Sequence, residues 1–199
     1  MTRSPAAVAA EVLDVLVARG QTVAVAESLT GGLLAATFVD VPGASRAFRG
    51  GLVVYATDLK ASLAGVAEDL LRGAGPVDPQ VALALARGAR IRCGADWGLA
   101  TTGVAGPDPQ DGIPVGTVYV AVSGSVGISA GPVGPGTIAG PGMIAGPAAL
   151  GLPAVVADPA PEAVRRLDLT GSRAEIRAGA VAAALELLAV ALRQASEQP

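Results

Sequence analysis

Short β-branched runs alternate with helical stripes along this chain, and glycine-rich turns join one to the next. Thr22–Ala26 (TVAVA), Gly51–Tyr55 (GLVVY), Trp97–Thr101 (WGLAT), Val115–Val122 (VGTVYVAV) and Ala163–Leu169 (AVRRLDL) read as strands. Helix signals lie between them. Ser4 suits a cap and Pro5 a first helical position, with Val8, Val12, Val15 and Leu16 at helical spacing until Gly20. Leu33–Val39 is a second helical run, and Thr57 or Asp58 is placed to cap a short helix containing Lys60. Asp78-Pro79 opens another helix, and Ser172 with Glu175 makes a capping box for a last one. This order predicts an α/β chain: one three-layer α/β/α domain over residues 1–199.

One stretch breaks the pattern. Residues 123–161 contain the imperfect units AGPVGPGTI, AGPGMI and AGPAALGL and few polar side chains. They read as a Gly/Pro/Ala-rich low-complexity insertion within the domain. Two alternatives stay open for it, a flexible connection between neighbouring strands and an ordered apolar flap at a subunit interface. Gly112–Ala157 carries no charge over 46 residues, yet it holds eleven glycines and six prolines. Each proline costs a helix interior about 3 kcal/mol, so a membrane-spanning helix is not expected. The start, MTRSPAAVAAEVLDVL, has early acidic residues and no unbroken apolar core, so no signal peptide is read there.

Composition narrows the chemistry further. Fourteen basic and seventeen acidic residues give a net charge of −3, which argues against a general grip on nucleic acid. Aromatic residues are 3%, too few for stacking on bases. The single cysteine, Cys93, makes no internal disulfide and suits an apolar helix face. The chain has no histidine, which removes His-based triads and most zinc sites. No cofactor is expected. Lys60 is the only lysine, so any lysine chemistry runs through one residue.

In an open α/β sheet, ligands bind outside the carboxyl ends of strands. Four turns are candidates to converge there: Glu27–Gly32, Ser45–Gly51, Tyr55–Lys60 and Thr101–Gly106. In Ser28-Leu29-Thr30-Gly31-Gly32, between a strand and a helix, backbone N–H groups and the helix dipole can face an anion. The plain alternative is an ordinary capped turn. Lys60, placed in the first turn of a helix and buried, would lose part of its affinity for a proton and could activate Ser28. The alternative there is a solvated lysine paired with Asp58. Thr101-Thr102-Gly103 offers hydroxyls and N–H donors at a third strand end, and by itself decides nothing.

Together these segments resemble the C-terminal domain of the CinA family, which includes stand-alone nicotinamide-nucleotide amidohydrolases (PncC type). The resemblance rests on AESLTGG (26–32), DVPGAS (40–45), the Tyr55-to-Lys60 step and TGVAGP (102–107), in that order, and more loosely on the tail RRLDLTGSRAEIRAGAVAAALELL at 165–188. It implies an α/β/α domain that hydrolyses the carboxamide of nicotinamide mononucleotide to nicotinate mononucleotide and ammonia without metal. By position it implies Ser28 as nucleophile, Lys60 as general base, and Tyr55 in the same proton-transfer group. Thr30, Gly31 and Gly32 would line the nucleophile turn. Ser45, Thr102 and Gly103 would lie near the substrate, and Arg173 near its phosphate. The partners expected are a small-molecule nucleotide and further copies of the chain, with no nucleic acid and no membrane, in the cytoplasm. Two other functions stay open: a catalytically idle nucleotide-binding or interaction module of the same family, linked to competence or damage responses, and a serine–lysine hydrolase of another small amide.

Overall fold

The computed structural model describes residues 3–124 and 161–196. Helix α1 (Pro5–Ala18) starts where Ser4 Oγ accepts the Ala7 N–H, as the sequence suggests. Strand β1 (Val23–Glu27) and helix α2 (Leu33–Val39) follow, then one turn of 3-10 helix at Ala44–Arg46. Next come β2 (Phe48–Val53), α3 (Thr57–Ser62), α4 (Glu68–Ala74), α5 (Pro79–Cys93) and β3 (Trp97–Gly103). Strands β4 (Thr117–Gly124) and β5 (Glu162–Asp168) precede the closing helix α6 (Arg173–Gln194).

The five strands form one sheet in the order β2-β1-β3-β4-β5. Strand β1 pairs parallel with β2 and β3, whereas β3–β4 and β4–β5 are antiparallel. The sheet is buried on two faces by two separate apolar cores. Helices α1, α2 and α6 cover the face that presents Val23, Val25, Leu99, Val120 and Val122. Helix α5 covers the face of Ala24, Ala26, Ala100 and Ala121. The wholly buried β1 reads VAVAE because both faces of a central strand are covered. The α/β/α layering is as the sequence predicts.

Several boundaries differ from the sequence reading, each for a local reason. β2 runs over Phe48–Val53 rather than Gly51–Tyr55; it ends before Tyr55 because the Val54 carbonyl accepts a bond from the Lys60 amine in place of a ladder bond. Thr22 precedes β1 because its N–H and hydroxyl both bond the Asp96 carboxylate. β4 begins at Thr117, since Gly116 has φ 92° and a Cβ there would stand 1.9 Å from the Leu169 carbonyl. Helix α3 is capped by neither Thr57 nor Asp58: Ala56 holds that position without a side-chain bond. Helix α4 has no buried residue, which explains why no apolar stripe marks it.

The topology sorts the loops onto two opposite edges of the sheet. The carboxyl ends of β1, β2, β3 and β5 and the amino end of β4 share one edge. The carboxyl end of β4 and the amino end of β5 lie at the other, where the Gly124 N–H bonds the Pro161 carbonyl at 2.9 Å. The expected insertion at 123–161 falls, from 125 to 160, outside the described residues. Its two stems leave the sheet at the edge away from the β1 and β3 carboxyl ends. Among the described residues no helix is long and apolar enough to cross a membrane.

Candidate active site

The chain segment after β1 is held from several sides. The Glu27 carboxylate, fully buried, accepts the N–H groups of Gly32 and Leu34 at 3.0 Å and of Ala35 at 2.7 Å. It thus caps α2 from the residue before Ser28. Gly31 and Gly32 adopt φ of 58° and 98°, the left-handed region that glycine enters without penalty. The Ser28 N–H bonds the Thr101 carbonyl, and the Gly31 N–H returns to the Ser28 carbonyl. Thr30 and Thr101 share a hydroxyl–hydroxyl bond of 2.7 Å beneath the turn. From α6, Arg177 Nε donates to the Leu29 carbonyl at 3.0 Å and Nη2 to the Thr30 carbonyl at 2.7 Å.

This arrangement corrects one expectation. The N–H groups of Gly32, Leu34 and Ala35 are taken by Glu27, and that of Gly31 by Ser28, so they do not face a ligand anion. Among the described residues, the Leu29 and Thr30 N–H groups are the ones of this turn left without a partner.

Lys60 enters from α3. Its side chain is 1% exposed, and Nζ donates to Ser28 Oγ at 3.0 Å and to the Val54 carbonyl at 2.7 Å. It makes no pair with Asp58, so the solvated alternative is set aside. Burial lowers the pKa of the amine to about 8. The helix dipole is not the cause: Lys60 is the fourth residue of a six-residue helix and belongs to its last turn.

Ser28 and Lys60 open into a cleft of about 200 Å³ whose walls include Tyr55, Thr102, Gly106 and Arg173. Arg173 donates to the Gly106 carbonyl and, at 3.1 Å, to the Tyr55 hydroxyl, joining the β2–α3 connection to the loop after β3. Tyr55 is 61% exposed, and its hydroxyl meets Arg173 rather than Ser28 or Lys60. The Thr102 hydroxyl donates to the Pro76 carbonyl at 2.7 Å. Gly103 has no room for a side chain, because a Cβ would stand 2.6 Å from the Thr117 carbonyl.

Four expected site residues lie outside the cleft wall. Thr30 is buried beneath the turn, Gly31 and Gly32 are part of the turn itself, and none of the three lines the cleft. Ser45 lies beside a separate hollow with Val39, Pro42 and Phe48. It precedes β2, so it sits at the amino edge of the parallel strands, opposite the cleft. Sequence reasoning gave no role of their own to Glu27, Asp108 or Arg177. A carboxylate ending an apolar strand, and an arginine four residues after Arg173 on one helix, are the signals that mark two of them.

Fold and cleft define an α/β domain with a hydroxyl and a buried amine at the carboxyl edge of its parallel strands. Residues 5–131 match the family model of the CinA C-terminal domain, and the chain belongs to that family. A CinA-like protein of Frankia casuarinae is 59% identical over 116 residues, 58% of this chain and 27% of that protein. A putative competence-damage inducible protein of Desulforamulus reducens is 48% identical over 115 residues, 58% of this chain and 28% of that one. The chain therefore spans less than a third of the length of these relatives. Among solved structures, the competence/damage inducible protein of Agrobacterium tumefaciens superposes with TM-score 0.75 at 28% identity, over 98% of this chain and 100% of that one. A CinA superfamily protein of Klebsiella pneumoniae shares the fold with TM-score 0.76 at 23% identity, over 96% and 99% of the two chains.

Proposed function

We propose that this domain is an amidohydrolase that converts nicotinamide mononucleotide to nicotinate mononucleotide and ammonia. The observation that carries the reading is the buried Lys60 amine, 3.0 Å from Ser28 Oγ. A neutral amine has two N–H groups and one lone pair. One N–H stays on the Val54 carbonyl, which turns the lone pair toward the Ser28 hydroxyl.

Ser28 Oγ attacks the carboxamide carbon as its proton passes to Lys60 Nζ. The new C–O bond leaves an oxyanion on the former carbonyl oxygen. The Leu29 N–H, in the cleft wall and without a partner among the described residues, is the donor available to it, worth roughly 3 kcal/mol in the transition state. The C–N bond then breaks, and the Lys60 ammonium returns its proton to the leaving group, which departs as ammonia. Water attacks the resulting ester with Lys60 again taking the proton, and Ser28 Oγ recovers its hydrogen as the carboxylate product forms. Arg173, with the Tyr55 hydroxyl beside it, supplies a cationic anchor for the phosphate at a distance from the reacting carbon.

Ammonia release from nicotinamide, its riboside and its mononucleotide tests this reading. The mononucleotide is expected to react best, and Ser28→Ala to fall to the blank. Binding of the mononucleotide without ammonia release would favour an idle binding module, and equal rates on all three amides a broader serine–lysine hydrolase.

A further inference from the structure

The serine–lysine pair and Arg173 leave one charged group of the cleft unexplained. Asp108 lies on the loop after β3, two residues beyond Gly106, and lines the same cleft as Ser28 and Arg173. None of the ion pairs among the described residues involves it. The hydrogen bonds of Arg173 go to the Gly106 carbonyl and the Tyr55 hydroxyl, and none goes to Asp108. The cleft therefore holds an anchored cation, Arg173, and a carboxylate, Asp108, that has no ion-pair partner among the described residues, together with the Lys60 amine. A ligand carrying only a phosphate gains from Arg173 and is opposed by Asp108. A neutral amide gains from neither. A ligand with separated charges of both signs satisfies the two together.

We propose that Asp108 is a specificity residue of this cleft: its carboxylate selects a nucleotide whose heteroaromatic ring is cationic and whose phosphate is anionic. The inference rests on the amidase reading for the identity of the substrate. The pyridinium of nicotinamide mononucleotide has this charge pattern. Its reduced dihydropyridine form keeps the phosphate, ribose and carboxamide and lacks the ring charge, so the two forms isolate the effect. For a partly solvated pair of charges the preference is about five-fold.

Calorimetric titration of the Ser28→Ala chain with oxidised and reduced nicotinamide mononucleotide reads binding without turnover. The oxidised form is expected to bind about five-fold tighter. Adding Asp108→Asn is expected to bring the two forms level, and Asp108→Glu to keep the preference. Asp108 is exposed, so the melting temperature is expected to stay with that of the parent chain. Equal binding of both forms with Asp108 present, no binding of either, or a preference that survives Asp108→Asn would overturn the proposal. Ammonia release by the unsubstituted chain is read alongside. A charge preference without release keeps the role of Asp108 and removes the amidase. Release without a charge preference does the reverse.

Discussion

The amine of Lys60 lies 3.0 Å from the hydroxyl of Ser28, although 32 residues separate them in the chain. The two come from different elements: Ser28 from the turn after β1 and Lys60 from α3 after β2. Because β1 and β2 are parallel neighbours, both turns emerge at one edge of the sheet. The site is thus a direct product of strand order.

The pairing sets a pH dependence. Lys60 acts as a base in its neutral form, and burial lowers its pKa to about 8. The rate of ammonia release at low substrate is therefore expected to rise tenfold per pH unit below about 8 and to level off above it. A steady-state pH profile checks this. A rise that continues to the ordinary lysine range near 10.4 would mean that the amine is solvated.

Glu27 ties the nucleophile turn to α2 through three N–H bonds to a fully buried carboxylate. Glu27→Ala removes the acceptor and strands those donors. The expected loss is about 3 kcal/mol of folding stability, read as a lower denaturation midpoint with an unchanged slope. Turnover is expected to fall with it, since the same bonds hold Ser28 beside Lys60.

Gly98 of β3 lies against the backbone of α5. A Cβ there would stand 1.9 Å from the Ala86 carbonyl, which belongs to backbone and has nowhere to go. Gly98→Ala is expected to destabilise the fold by about 3 kcal/mol. Thermal melting gives the shift, and Gly73→Ala serves as a control, because nothing lies within 4 Å of a Cβ at that position.

Arg173 is separable from the chemistry. It donates to the Gly106 carbonyl and the Tyr55 hydroxyl at the cleft wall and makes no hydrogen bond to Ser28 or Lys60. Arg173→Ala is expected to raise KM for the mononucleotide about tenfold, as loss of a charged hydrogen bond would, with kcat much less affected. KM for the riboside, which has no phosphate, is expected to stay the same. Equal effects on both substrates would place Arg173 in the architecture and not in phosphate binding.

Much of this was legible in the sequence, and the reasons differ by element. The capped helices α1, α5 and α6 and the apolar β1 and β3 carry local signals, because caps and periodicity are properties of neighbouring residues. The convergence of Ser28, Tyr55, Lys60 and Thr102 followed from turns at strand ends. Ser45 was misplaced because its turn precedes β2 instead of following a strand, which puts it at the amino edge of the parallel strands. The carboxyl end of β2 fell at Val53 and not at Tyr55 because Lys60 draws the Val54 carbonyl away from the ladder, a tertiary effect with no local mark. Of the N–H groups expected to face an anion at Ser28–Gly32, that of Gly32 is taken by Glu27, whose role depends on a side chain reaching up to eight residues along the chain, and that of Gly31 by the Ser28 carbonyl.

The claim that Ser28 forms a bond to the substrate carbon is tested most directly by intact-mass spectrometry of the chain, acid-quenched during turnover of nicotinamide mononucleotide. The expected result is a population heavier by the nicotinate-mononucleotide acyl group, located to the peptide bearing Ser28, discharged by hydroxylamine and missing from Ser28→Ala. Ammonia release at the full rate with no acyl-bearing species, and its persistence in Ser28→Ala, would contradict it.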